Sequence, residues 1–224
     1  MKNYIPILFI SSLLIGNESF SLSNTNKNNI KLDKIIKEDS LINPLAKFSV
    51  KWNYKKFKSC KTVDGINYLN DEEKKVIWIL NMIRLDPQLF IKTVLLNPAV
   101  MNAWKCPEYY TLISDVKKLK PDSTPLLPDS LAFVSARCHA IQSGNKGYVG
   151  HTRQVTECKS DFFGECCEYG SNNAFDILMD LLVDQGKNPA GHRIICLSNR
   201  YEKLGVAIQP HKSIYRVNTV MDFK

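Results

Sequence analysis

Residues 204–223 read LGVAIQPHKSIYRVNTVMDF, and this closing stretch decides the fold class. Leu204 to Gln209 and Ser213 to Phe223 are rich in Val, Ile and Tyr, with Pro210-His211-Lys212 between them. Two β-prone runs around a short turn read as a β-hairpin. The periodic segments upstream are helical instead. Val76, Ile77, Leu80 and Ile83 recur at helical spacing behind Asn70-Asp71-Glu72-Glu73, where Asn70 can cap the helix while Glu73 reaches back to it. Asp86-Pro87 starts a second helix, since Pro is tolerated in a first turn. A third spans about Asp129 to Ser143 and ends at Gly144, and another spans about Asn173 to Asp184 with Phe175, Leu178, Leu181 and Leu182 inward. Pro121, Pro125 and Pro128 make 117–129 a loop, and three glycines make 147–166 loop-rich. Helices first and strands last predict an α+β fold with an antiparallel sheet.

Working outward, the other end of the chain is not part of this pattern. Lys2 followed by an apolar run from Ile5 to Ile15, then small residues at Ser19 and Ser21, predicts a secretory signal peptide over 1–21. The run is shorter than the roughly 18 residues a membrane span needs, and nothing downstream is longer, so no transmembrane segment is expected in the mature chain. The net charge is +8, but residues 22–65 hold ten Lys against four acids and carry +6 of it. From Ile66 onward, 19 basic and 17 acidic residues leave only +2. That placement argues for a solvated, partly disordered basic leader over 22–65 rather than a nucleic-acid footprint on a folded face. Trp52, Tyr54 and Phe57 among the lysines suggest a piece of it that packs on the domain edge. The globular domain is expected over 66–224.

Seven cysteines in a secreted chain predict disulfides, and the odd number leaves at least one thiol free. Cys138 is the expected free thiol, because Leu131, Val134, Cys138 and Ile141 share one helical face. Cys158 is expected to pair with Cys166 or Cys167, and Cys60 with Cys106. No CxxC pair supports a thiolate zinc site.

Histidines and acids carry the functional signal. Gly150-His151 and Gly191-His192 repeat a Gly-His pair, Gly164-Glu165 lies between them, and Asp184 ends the helix eight residues before His192. Two imidazoles and two carboxylates suit a divalent metal, with a carboxylate as ligand or base. Without an HExxH motif, spacing alone leaves open that the histidines only cap glycine turns and that Glu165 is a structural carboxylate. His139, beside Cys138, reads as a packed or hydrogen-bonded histidine, His211 as an exposed turn residue, and Phe162 and Phe163 as core in preference to the lining of a hydrophobic groove.

These motifs in order give the chain a resemblance. Leu69-Asn70-Asp71-Glu72-Glu73 through Asn81 to Pro87, then Leu127 to Ala140, Gly150-His151, Gly164-Glu165, Gly191-His192-Arg193, Tyr201 to Val206, and Val220-Met221-Asp222-Phe223 follow the order of the cysteine-rich secretory / antigen 5 / pathogenesis-related (CAP, or SCP) family. Residues 66–224 resemble its divergent microbial-type branch. The resemblance implies a three-layer α-β-α sandwich whose cleft is lined by His151, Glu165, Asp184 and His192. Asp184 stands where the eukaryotic pattern has Glu, and Cys166 where it has Asn.

The function that the resemblance implies is a secreted, extracellular binding or effector protein. Its His/acid cleft would take a lipid, sterol or extracellular surface ligand, with Zn2+ or another divalent metal on His151 and His192. The alternative is a zinc-dependent, protease-like secreted hydrolase in which Glu165 activates water. No nucleophilic Ser or Cys motif supports covalent catalysis, and binding is favoured because such a cleft is compatible with metal-dependent structure without turnover.

Overall fold

A computed structural model describes residues 41–153, 155–159 and 162–224, which form one compact unit running from Leu41 to Lys224. The expected signal peptide at 1–21 and the leader as far as residue 40 lie outside the described residues. Seven α-helices are described: α1 (Asp71–Leu85), α2 (Pro87–Phe90), α3 (Pro98–Ala103), α4 (Pro107–Lys118), α5 (Ser130–Lys146), α6 (Ala174–Val183) and α7 (Gly191–Leu197). Four strands accompany them: β1 (Leu127–Pro128), β2 (Gly164–Tyr169), β3 (Lys203–Pro210) and β4 (Val217–Phe223). Among the described residues no helix is long and apolar enough to cross a membrane.

The strand order is β1-β3-β4-β2. The closing hairpin forms antiparallel, with Leu204 opposite Phe223 and Ala207 opposite Val220. β2 adds to β4 antiparallel, with Glu165 directly opposite Asp222. The two-residue β1 pairs parallel with β3, so the sheet is mixed rather than purely antiparallel. Both it and the first half of β2 fall where the sequence reads as loop.

Strand alternation sends side chains to two unlike faces. Leu204, Val206, Met221, Phe223 and Cys166 join a large core with buried residues of α1, α4 and α6, among them Ile77, Leu80, Leu112 and Leu182. The opposite face is made of small groups: Cys167, Ala207 and Val220 meet Ala136 and Ala140 of α5. The helix lies so close that a Cβ on Gly205 would overlap the backbone of Ala132 and Phe133. Close approach corrects two expectations for α5. Its buried face is Ala132, Ser135, Ala136, His139, Ala140 and Ser143, while Leu131 and Val134 are exposed. Gly144 is not the stop either: it packs under the Pro210 carbonyl, and the helix ends one turn later at Gly147 in the left-handed region (φ 66°).

The body also reaches back past the expected boundary at residue 66. Short 3-10 helices at Val50–Asn53 and Lys55–Cys60 place Leu45, Trp52, Phe57, Cys60 and Val63 in the main core. Trp52 donates its indole N–H to Thr93 Oγ1 at 3.0 Å. Asn81 of α1 holds the far end by donating to the carbonyls of Cys60 and Leu126 and accepting from Leu126 N. Basic composition described the lysines of this stretch, and its few apolar residues decided where it goes.

The cysteine pairing differs from expectation. Cys138 is bonded to Cys158, while Cys60, Cys106, Cys166, Cys167 and Cys196 are free. The half-buried face of α5 is what makes this possible, because Cys138 there meets Cys158 of the connection that follows the helix. Cys166 and Cys167 sit on β2, pointing to opposite faces of the sheet, and neither is bonded to Cys158.

Candidate functional site

The site assembles at the β2 edge of the sheet. β2 carries Glu165; the connection before it carries His151; α6 ends at Asp184, and α7 begins at Gly191-His192. Asp184 adopts φ 52° as the C-cap of α6, a left-handed conformation that a short polar residue tolerates. Its carboxylate is fastened at both oxygens: the His192 backbone N–H donates to Oδ2 and the ring Nδ1–H to Oδ1, each at 2.9 Å. Asp184 is therefore buried, with both carboxylate oxygens held by His192.

A matching pair stands opposite. His151 Nδ1–H donates to Glu165 Oε1 at 2.9 Å. The two imidazole rings face each other with centroids 5.9 Å apart, His151 half exposed and His192 mostly covered. All four residues singled out in the sequence thus come together. A carboxylate can only accept, so each Nδ1 carries the proton and each Nε2 is left with a lone pair. A shallow groove beside them is lined by Tyr169, Asp184, Gln185, His192 and Tyr215, among others.

Beneath Glu165 lies a polar layer that the sequence did not reveal. Arg153 Nη2 sits 2.6 Å from Glu165 Oε2 and 3.1 Å from Asp222 Oδ2, so one guanidinium bridges two acids that are cross-strand neighbours. Ser135 donates to Asp222 Oδ2 at 2.6 Å. Burial raises the Glu165 pKa, but the His151 hydrogen bond and the Arg153 charge outweigh it and hold the carboxyl below its usual range. Asp222, more deeply buried and beside Glu165, is pushed up instead. The Glu165 hydrogen bond raises His151, against its burial.

His139, Glu165 and Cys167 form a buried group whose ligand atoms lie within 4.8 Å of one another and could hold a metal ion. His139 donates from Nε2 to the Gly150 carbonyl at 2.9 Å, and its Nδ1 has no hydrogen-bond partner among the described residues. Burial lowers the pKa of this ring. Cys167 Sγ lies 3.6 Å from His151 Nδ1 and 3.7 Å from Glu165 Oε1. Burial pushes its thiol pKa up, so a metal would have to displace the proton. Of these residues only Glu165 was a sequence candidate. The signal available for His139 was its place on the small-residue face of α5, and for Cys167 its alternation with Glu165 on β2.

Three other expectations change. His211 is buried rather than exposed, held by Tyr148 O at 2.9 Å and Ser213 Oγ at 2.8 Å. Phe163 is exposed, and Phe162 lies under the Arg153 guanidinium. Comparison with family models, curated proteins and solved structures gives no match to this chain.

Proposed function

We propose that the chain is a secreted binding or effector protein of the CAP type, a three-layer α-β-α sandwich. Its facing histidines hold a divalent metal, zinc before others, next to a groove that takes a lipid, sterol or extracellular surface ligand. One observation carries the reading: two imidazoles 5.9 Å apart, each fixed through Nδ1 by its own carboxylate. A carboxylate behind each histidine sets the tautomer and makes Nε2 a better ligand, as second partners of metal-bound histidines do. Glu165 and Asp184 then orient the ligands. Bound there, a divalent ion would supply positive charge and an open coordination position for a ligand oxygen.

Hydrolysis is the weaker reading. A general base works best with a pKa near the working pH. Glu165 is buried, accepts from His151, touches Arg153, and is held below the ordinary carboxylate range. It is poorly placed to take a proton from water.

The test is zinc titration of the purified chain by calorimetry, with His192→Ala and Cys167→Ala in parallel. Loss of His192 should weaken zinc by more than the roughly 10–100-fold that loss of an orienting partner brings, and loss of Cys167 should leave it nearly unchanged. The reverse pattern moves the metal to the buried His139, Glu165 and Cys167 group. No zinc uptake by the wild-type chain overturns the metal reading.

A further inference from the structure

Two buried thiols stand outside the site and outside the disulfide already formed. Cys166 and Cys196 are both fully buried, and their sulfurs are 3.9 Å apart. Their placement follows from periodicity. On β2, Glu165 and Cys167 face α5, so Cys166 between them faces the main core, where α7 packs on the strand. On α7, Cys196 follows His192 by four residues and shares its face. One helix face therefore presents His192 to the site and Cys196 to Cys166. Cys166 Sγ also lies 3.7 Å from the His192 carbonyl.

We infer that Cys166 and Cys196 form a second disulfide, which ties β2 to α7 beneath the histidine pair. A bonded S–S distance is about 2.05 Å, so the sulfurs must approach by about 1.9 Å. Torsion of two side chains that already point at each other moves sulfurs by that order. Cys167, on the other face of β2, cannot compete for Cys196. The oxidant is a low-molecular-weight disulfide such as oxidised glutathione. A Cys thiolate attacks it and one glutathione thiol leaves; the second Cys thiolate then attacks the mixed disulfide, releasing the other. Two protein thiols become one disulfide, and two protons and two electrons end on two glutathione thiols. Both thiols are fully buried once the chain is folded, so exchange belongs to folding, before α7 docks, and the same burial shields the finished bond from reductant. The bridge would hold the helix carrying His192 at a fixed distance from the strand carrying Glu165, whatever ligand the site takes.

Peptide mapping of the full chain decides this. The chain is refolded in a glutathione redox buffer, alkylated in guanidinium, digested without reduction and analysed by mass spectrometry. Expected are linked peptides for Cys138–Cys158 and Cys166–Cys196, with alkyl groups on Cys60, Cys106 and Cys167. Because Cys166 and Cys167 are adjacent, the mapping is repeated on Cys167→Ala, where the link to Cys196 should persist. Alkylation of Cys166 and Cys196, or a link that vanishes in Cys167→Ala, overturns the inference. In oxidising buffer Cys196→Ala should melt about 10 °C below wild type, as loss of a bridge closing some 30 residues implies, and the difference should close when both are reduced. An equal difference in both buffers would mean lost packing, not a lost bond. If the variant does not fold, the wild-type map alone decides.

Discussion

At the scale of the residue, this molecule is organised around acids that burial would disfavour and that neighbours rescue unequally. Glu165 has His151 and Arg153, whereas Glu168, three residues along β2, has little. It is buried on the other face, accepts a hydrogen bond from Ser171 N at 2.9 Å, and its pKa is pushed up to about 7, first by burial. An acid whose folded pKa lies above its unfolded value of 4.5 binds its proton more tightly when folded. Its contribution is therefore fully present below about pH 4.5 and is lost as pH rises through about 7. Glu168→Gln should leave stability at pH 4 nearly unchanged and raise it at pH 8, by on the order of 2–3 kcal/mol, as read from urea melts. A variant equally stabilised at both pH values would remove the electrostatic cause. The same contrast explains what the sequence made legible here. His151, Glu165, Asp184 and His192 announce themselves through glycine-flanked motifs and a helix end. Arg153, Asp222, His139 and Cys167 do not, because the β2–β4 register and the closeness of α5 bring them to Glu165. Register and closeness are tertiary facts.

At the scale of the element, the readings that succeed rest on local chemistry. Asn70 accepts from Glu73 N at 2.9 Å while Glu73 accepts from Asn70 N at 2.8 Å, the reciprocal cap expected for α1. Asn173 and Asp184 bound α6 where the sequence has them. Asn70→Ala should cost about 1 kcal/mol, as the loss of an N-cap does, measurable as a lower denaturation midpoint at unchanged slope. Elements whose character depends on a partner were less visible. β2 is buried on both faces and spelled with Glu and Cys, so it lacks the alternation that marks a strand. α5 shows Leu131 and Val134 to solvent, keeps Phe133 half-buried, and turns mainly small residues to the sheet, unlike an ordinary amphipathic helix. Gly205 is the counterpart of that choice. Gly205→Ala would drive a methyl into the Ala132–Phe133 backbone and force α5 off the sheet. The expected loss is at least the roughly 1–3 kcal/mol of an overpacked core. If Gly205→Ala melts like wild type, helix and sheet are not in contact there.

At the scale of the whole molecule, the question is where the folded body begins. Charge and composition put the boundary at residue 66, and most of 22–65 is indeed basic and polar. Yet burial of a few large side chains outweighs many exposed lysines, because a lysine left in water contributes little either way, while a buried aromatic contributes several kcal/mol. Leu45 and Trp52 are fully buried and Phe57 nearly so, in the same cluster as Ile77, Phe90 and Leu95. The Trp52 ring packs on Phe57 with centroids 4.9 Å apart, and its N–H has a partner in Thr93. This segment therefore closes one side of the main core, and removing it would bare the apolar residues beneath. Trp52→Ala alone should cost about 3–5 kcal/mol, the range for a buried aromatic cut back to a methyl. A chain shortened to start at Leu41 should unfold in one cooperative transition. A chain shortened to start at Ile66 should lose that transition and bind a hydrophobic dye, with near-ultraviolet circular dichroism flattened. Cooperative melting of the shorter chain at the same temperature would return the boundary to residue 66 and make 41–65 an ornament on a complete domain.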